Sequence, residues 1–174
     1  MFELLLNQEI YHRVVQELLP SAQRFIWIAT ADLKDMHVEV SPRRFDTFLK
    51  ILAERVLAGV DVRLIHAKEP GPRFRQDFDR FPELIESERF ERILCPRNHM
   101  KCVLVDGSEA YLGSANLTGA GMGAKSINKR NFEAGFITRE PQMLERLLAF
   151  FDQLYLGDFC QGCGRREVCP DPIA

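Results

Sequence analysis

Short apolar runs alternate with amphipathic stretches along this chain, so that strands and helices are expected to take turns. Residues 8 to 20 place Ile10, Val14, Leu18 and Leu19 on one side of a helix. The run RFIWIAT reads as a buried strand. Ser41-Pro42 supplies a cap and a first-turn proline, and Gly59 a stop. A helix between them would present Phe45, Phe48, Leu49, Leu52 and Val56 to the core. Val60 to His66 is a second strand, and strand, helix and strand at this spacing form a βαβ unit with parallel pairing. Residues 72 to 90 look helical with a break at Pro82, followed by a strand over Arg92 to Cys95. Further on lie a strand at Phe132 to Thr138 and a helix from Pro141 to about Leu156. The expected fold is α/β, a mixed β-sheet flanked by helices. Residues 1–157 would form the body, and 158–174 a cysteine-rich tail.

Between these elements lies NHMKCVLVDGSEAYLGSANLTG, residues 98 to 119, which reads as a β-hairpin. The apolar run Cys102 to Val105 ends in Asp106-Gly107, a tight-turn signal, and Ala110 to Leu112 follows. Strand alternation points His99 and Lys101 the same way. A two-residue loop at Gly107-Ser108 would set Lys101 opposite Ser114 and His99 opposite Asn116. A loop at Asp106-Gly107 shifts those pairs and keeps the four residues on one face. A histidine, an ammonium, a hydroxyl and an amide then converge with no carboxylate among them. That is an anion site containing a nucleophile or an acid–base group.

The spacing H-x-K-x4-D-x6-G-S-x-N, carried by His99, Lys101, Asp106, Gly113, Ser114 and Asn116, resembles the signature of the phospholipase D superfamily at all six positions. Asn131-Phe132-Glu133 resembles that family's downstream acidic position. The resemblance implies that two such motifs face each other across one site. One histidine attacks phosphorus and forms a phosphohistidine; the other protonates the leaving oxygen and then activates water. Carried over by position, His99 is the nucleophile or acid–base group and Lys101 clamps the phosphate. Ser114 and Asn116 bind its oxygens, and Glu133 orients the His99 ring. Asp106 has the opposite parity and takes a structural role in the turn. Donor groups around phosphorus stabilise charge developing on the equatorial oxygens, and this chemistry requires no metal.

A single copy of the full pattern is present: His66-Ala67-Lys68 repeats the H-x-K spacing, but none of His12, His37 and His66 is followed by the aspartate and the Gly-Ser-x-Asn. The expected assembly is therefore a homodimer whose twofold axis brings two copies of His99 into one composite site. His66 ends a strand and either faces the site or packs within the fold, and Trp27 belongs to the core.

Composition narrows the setting. At 174 residues the chain is one domain, with 46% hydrophobic and 28% charged residues, as in globular proteins. The longest apolar stretches are strand-sized and too short to span a bilayer. The start MFELLLNQEIYHR carries an early acid and no basic region, so it does not read as a signal peptide. A cytoplasmic location is expected, where the five cysteines would stay reduced and favour metal over disulfides. Cys160, Cys163 and Cys169 form C-x2-C-x5-C with Cys95 as the leading fourth ligand. The spacing resembles iron–sulfur tails of RecB-like nucleases and CRISPR-associated exonucleases, and it also suits a structural zinc. No cofactor is expected for the chemistry itself.

A net charge of −2 gives no overall attraction to nucleic acid or anionic lipid. Locally, GMGAKSINKRN holds Lys125, Lys129 and Arg130 without an acid, and AKEPGPRFRQ holds Lys68, Arg73 and Arg75 against Glu69. Each either grips a phosphate backbone or is a solvated loop. The leading expectation is a dimeric endonuclease acting on DNA or RNA. The alternatives are a phospholipase D or phosphatidyl transferase acting on lipid, and a nucleic-acid-binding module of a repair or defence system. The lipid reading needs an amphipathic membrane helix, and the first helix offers only His12 and Arg13 as basic residues.

Overall fold

The computed structural model describes residues 2–173. The chain enters through β1 (Phe2–Leu6), a strand not foreseen from sequence. A continuous helical stretch follows, α1 (Gln8–Ile10), a π-helical segment (Tyr11–Leu18) and α2 (Leu19–Ser21), burying Ile10, Val14, Leu18 and Leu19 as the periodicity implied. Next come β2 (Phe25–Thr30), the hairpin β3 (His37–Ser41) and β4 (Arg44–Thr47), α3 (Phe48–Leu57) and β5 (Asp61–His66). The short helices α4 (Pro72–Phe78) and α5 (Pro82–Ile85) lead to β6 (Phe90–Leu94). Then β7 (Cys102–Val105), β8 (Glu109–Gly113), β9 (Ala134–Thr138) and α6 (Pro141–Tyr155) complete the body.

Seven strands form one mixed sheet in the order β1-β9-β8-β7-β2-β5-β6. β2, β5 and β6 run parallel, joined by the expected βαβ crossover, while β7, β8, β9 and β1 run antiparallel. One face packs under the first helices and α3, with Val14, Ile28, Phe48, Leu64 and Val103 in a single cluster. The other is covered by α6, whose fully buried Phe151 stacks on Trp27 at 5.0 Å amid Ala29, Ile65, Cys102 and Leu104. Trp27, expected in the core, is only partly buried and packs against this cluster from its edge.

The helix expected from Ser41-Pro42 begins instead at Phe48, where Thr47 is the cap and its hydroxyl accepts the Lys50 N–H at 3.3 Å. Residues 37–47 form a hairpin because HVEVS alternates with period two, and Arg43, at φ 63°, turns the chain back. Phe45 is accordingly 56% exposed, not part of the core stripe.

Candidate active site

The sheet geometry decides where chemistry is concentrated. β7 is antiparallel to β2 with Ala29 opposite Cys102, so residues just before β7 lie beyond the carboxyl end of β2, beside that of β5. Crevices at the carboxyl ends of parallel strands are the usual ligand sites of such sheets. Asn98, which lies outside the motif positions, fixes this junction. It is buried, and its amide donates to the carbonyls of Thr30 at 3.0 Å and Ile65 at 3.2 Å while accepting the Met100 N–H at 3.1 Å. That staple positions the next residue, His99, which is exposed at the mouth of a cavity of 730 Å³.

Lys101 is 8% exposed. Its ammonium donates to the His99 carbonyl at 2.7 Å and lies 3.1 and 3.3 Å from the two ring nitrogens of His99. Burial pushes the Lys101 ammonium below its ordinary value, and the nearby Glu133 charge partly offsets this. Ser114 donates to the Glu133 carboxylate, and Asn131 donates to the same carboxylate at 3.1 Å. Asn116 accepts the Asp32 N–H at 3.1 Å and lies 3.5 Å from the Thr30 hydroxyl. Thr30 therefore links Asn98 and Asn116.

Two details differ from the sequence expectation. The hairpin turn holds three residues, Asp106 to Ser108, so Cys102 faces Leu112, and Lys101 aligns with Gly113, whose N–H donates to the Lys101 carbonyl at 3.2 Å. The pairing of Lys101 with Ser114 and His99 with Asn116 is one residue off. A slip of one reverses face, so Ser114 no longer stands opposite Lys101; past Gly113 it stays against β9, where its hydroxyl meets Glu133. Its N–H donates to the Ala134 carbonyl at 2.9 Å, the next position after the Gly113–Gly135 pair. Second, the Glu133 carboxylate holds Ser114 and Asn131, while the ring nitrogens of His99 face Lys101.

The motif glycine has a packing reason. Gly113 lies opposite Gly135, and the buried Tyr111 ring crosses both; a Cβ on Gly113 would sit 2.3 Å from the Tyr111 hydroxyl. Asp106 lies at the far end of the hairpin at φ 55° and accepts the N–H groups of Gln23, Arg24 and Phe25 at 2.8–2.9 Å. Burial alone would raise its carboxyl, but those three donors and the Arg24 charge outweigh it and hold the group below the usual range.

His66 is fully buried with Nδ1 2.8 Å from the Lys68 carbonyl; burial pushes its imidazole below the ordinary value. It is a packing histidine. Of the basic loops, Lys68 pairs with Asp32, Arg73 with Asp77 and Arg75 with Glu69, which marks that loop as a solvated face. Arg130 is spent on Gln8 at 2.8 Å and on the Lys125 carbonyl. Lys125, Lys129 and Arg130 form no ion pair among the described residues, but they do not line the cavity over His99. The cavity is lined by Arg97 and by Gly162, Gly164 and Arg165 of the tail.

The tail packs onto the body. Cys160 and Cys163 share a turn closed by the Cys163 N–H on the Cys160 carbonyl at 3.2 Å, and the Cys169 sulfur lies 3.8 Å from the carbonyl oxygen of Leu94, next to Cys95. Four thiols would suit zinc or an iron–sulfur cluster chemically. As arranged, no three His, Cys, Asp or Glu side chains among the described residues come within reach of one ion.

Comparison with known proteins agrees with this architecture. The family described as cardiolipin synthase, PLD-like domain, matches residues 15–155. A cardiolipin synthase of Geobacillus sp. is 31% identical over 150 residues, covering 82% of this chain and 26% of that protein. Cardiolipin synthase 2 of Bacillus cereus is 30% identical over 141 residues, covering 77% and 24%. The chain thus spans about a quarter of the length of the curated relatives it matches. Among solved structures, NucT from Helicobacter pylori superposes with a TM-score of 0.66 at 13% identity, covering 89% of this chain and 95% of that one. Nuc from Salmonella typhimurium, a phospholipase D family member, gives 0.63 at 18% identity, covering 89% and 93%. At such identities these likenesses establish the fold. Among the described residues no helix is long and apolar enough to cross a membrane.

Proposed function

The chain belongs to the PLD-like domain family of the phospholipase D superfamily, and from that premise we propose that it is a metal-independent phosphodiesterase cleaving nucleic-acid strands as a homodimer. The observation that carries the proposal is the pairing of an exposed imidazole with a buried ammonium at the mouth of an arginine-lined cavity whose lining contains no carboxylate. In the proposed cycle a ring nitrogen of His99 attacks phosphorus. The bond to the leaving oxygen breaks, and that oxygen takes a proton from the partner subunit's His99. The partner's neutral ring then removes a proton from water, the oxygen attacks phosphorus, and the P–N bond breaks to restore His99. Lys101 and Asn116 would donate to the phosphate oxygens, Ser114 would join them by turning its single hydroxyl proton from the Glu133 carboxylate to the phosphate, and Lys125 and Lys129 would follow the strand outside the cavity.

One copy supplies one motif histidine, and two-step transfer at phosphorus calls for two. An apolar face suits the second copy. Phe2, Leu4 and Leu6 are 58%, 68% and 47% exposed on β1, and Phe132, beside Glu133, is 97% exposed. Patches of this kind on a small protein mark interaction sites.

Lipid phosphodiesters are the second reading, favoured by the cardiolipin synthase relatives. The nucleic-acid reading gains from the cavity's lining, where Arg97 and Arg165 stand without a carboxylate and suit a polyanion. Incubation in EDTA with labelled DNA, RNA and phosphatidylglycerol vesicles, comparing the intact protein with His99→Ala, separates them. Nucleic-acid cleavage lost in the variant is the expected result; lipid turnover alone would overturn it. A monomer fully active at working concentration by light scattering would refute the dimer.

A further inference from the structure

The cavity over His99 has a wall that the six-position motif does not supply. Two residues past α6 comes Gly157, at φ 82°, and the chain doubles back so closely that a Cβ there would meet the Ile173 side chain at 2.6 Å. Arg166 closes the loop by donating to the Cys160 and Ile173 carbonyls at 3.2 and 2.8 Å. Asp171 accepts the Leu94 N–H at 2.8 Å and so fastens the loop to the end of β6. These ties hold Gly162, Gly164 and Arg165 against the segment that precedes His99. Arg165 reaches across it and donates one N–H to the Pro96 carbonyl at 2.9 Å. A guanidinium has five N–H donors in a planar fork, so most of this one is left for a ligand.

Arg97 and Arg165 thus converge on one cavity, 730 Å³ in volume and within the range of about 300–1,000 Å³ usual for ligand sites. Neither forms an ion pair with a carboxylate among the described residues, whereas Arg13, Arg63, Arg75, Arg89 and Arg139 all do. Two guanidinium groups and an imidazole sharing a space with no acid in its lining focus positive potential there. A Cβ on Gly162 or Gly164 would meet nothing within 4 Å, so the wall is open on the cavity side.

We infer that Arg97 and Arg165 form a second phosphate subsite, which takes the phosphodiester next to the one held at His99 on a nucleic-acid strand. The inference rests on the nucleic-acid reading above and deepens it. A strand always offers a neighbouring phosphate, while a simple phosphatidyl ester carries only the diester under attack. Bidentate guanidinium–phosphate contacts favour arginine over lysine in this role. Arg165 belongs to the tail, so the cysteine-rich segment takes part in substrate binding.

The test uses the full chain with Arg97→Ala, Arg165→Ala and Arg165→Lys. Binding of a labelled oligonucleotide is followed by anisotropy across a salt series, and turnover is compared between that oligonucleotide and bis(p-nitrophenyl) phosphate, which has a single diester. Each alanine variant should lower the slope of log K against log salt by about 0.7 for a single strand, the signature of one lost phosphate contact. The loss in kcat/KM on the oligonucleotide should exceed that on the small diester by about tenfold or more, as expected for a hydrogen bond to a charged group. Arg165→Lys should recover the salt slope but only part of the affinity. Equal losses on both substrates, or an unaltered slope, would overturn the subsite. Failure of the intact protein to bind the oligonucleotide would instead refute the nucleic-acid reading, and the subsite with it.

Discussion

Replacing Lys101 with methionine should separate catalysis from stability. The side chain is 8% exposed and makes three contacts to His99, at 2.7, 3.1 and 3.3 Å, with no carboxylate in ion-pair range. Methionine fills nearly the same volume and removes only the charge and its donors. Losing one preorganised donor aimed at developing phosphoryl charge costs about 2.7–4 kcal/mol of transition-state stabilisation, or about 10²–10³ in kcat. Folding responds differently, because two terms oppose each other. The His99 carbonyl loses a charge-assisted partner worth about 1.5–3 kcal/mol. Against this, a desolvated ammonium, already pushed below its ordinary value by burial, no longer has to be accommodated. The net change should stay within about 1 kcal/mol, a Tm shift of about 2–4 °C for a chain of this length. Oligonucleotide cleavage in EDTA measures the first effect and scanning calorimetry the second. A variant within about threefold of normal kcat would refute the clamp, since a lost donor costs at least about a hundredfold. A large fall in Tm accompanying the loss of activity would make Lys101 a structural residue.

Other expected outcomes follow from the same geometry. Asp106→Asn keeps the left-handed turn but weakens the acceptor of three N–H groups, and should cost about 1.5–3 kcal/mol by chemical denaturation. Because the folded carboxyl lies below its ordinary value, its contribution is complete at neutral pH and fades as pH drops below about 3.9, so the variant's stability curve should flatten in that acid range. Gly113→Ala places a methyl 2.3 Å from the Tyr111 hydroxyl and 2.8 Å from the Ala134 carbonyl; loss of folding or of Ser114 placement should appear in thermal melts and in kcat, and Tyr111→Phe should relieve it in part. The thiols of Cys95, Cys160, Cys163 and Cys169 are proposed as ligands of a structural zinc or iron–sulfur cluster, which would have to draw them together from their present positions. Metal analysis of anaerobically purified protein should find one or the other, with catalysis persisting in EDTA, and metal-free protein of full thermal stability would refute the proposal.

Much of this architecture was legible because local signals and tertiary packing agreed. The βαβ unit, the hairpin and α6 were carried by apolar periodicity, and their residues sit in the two core clusters as expected. The misread segment around Ser41-Pro42 had a helix-start signal competing with strand alternation, and the alternation won because Arg43 could adopt a left-handed turn. The first strand was hidden because its outer face, Phe2, Leu4 and Leu6, is exposed and leaves no alternating polar pattern. At the site, motif spacing located His99 and Lys101 but not the register, since one extra turn residue reverses a strand's faces. Asn98 and Arg97 adjoin His99 in sequence, yet their roles depend on the carbonyls of Thr30 and Ile65 and on a tail more than sixty residues away, contacts that spacing does not encode.

The most direct measurement is a rapid quench of the wild-type protein with end-labelled oligonucleotide, followed by peptide mapping for a covalent phosphoryl adduct. The mechanism predicts an acid-labile adduct on the peptide containing His99, forming no slower than product is released and missing from His99→Ala. Cleavage at the normal rate with no adduct on that peptide, or with the adduct on another residue, would contradict it.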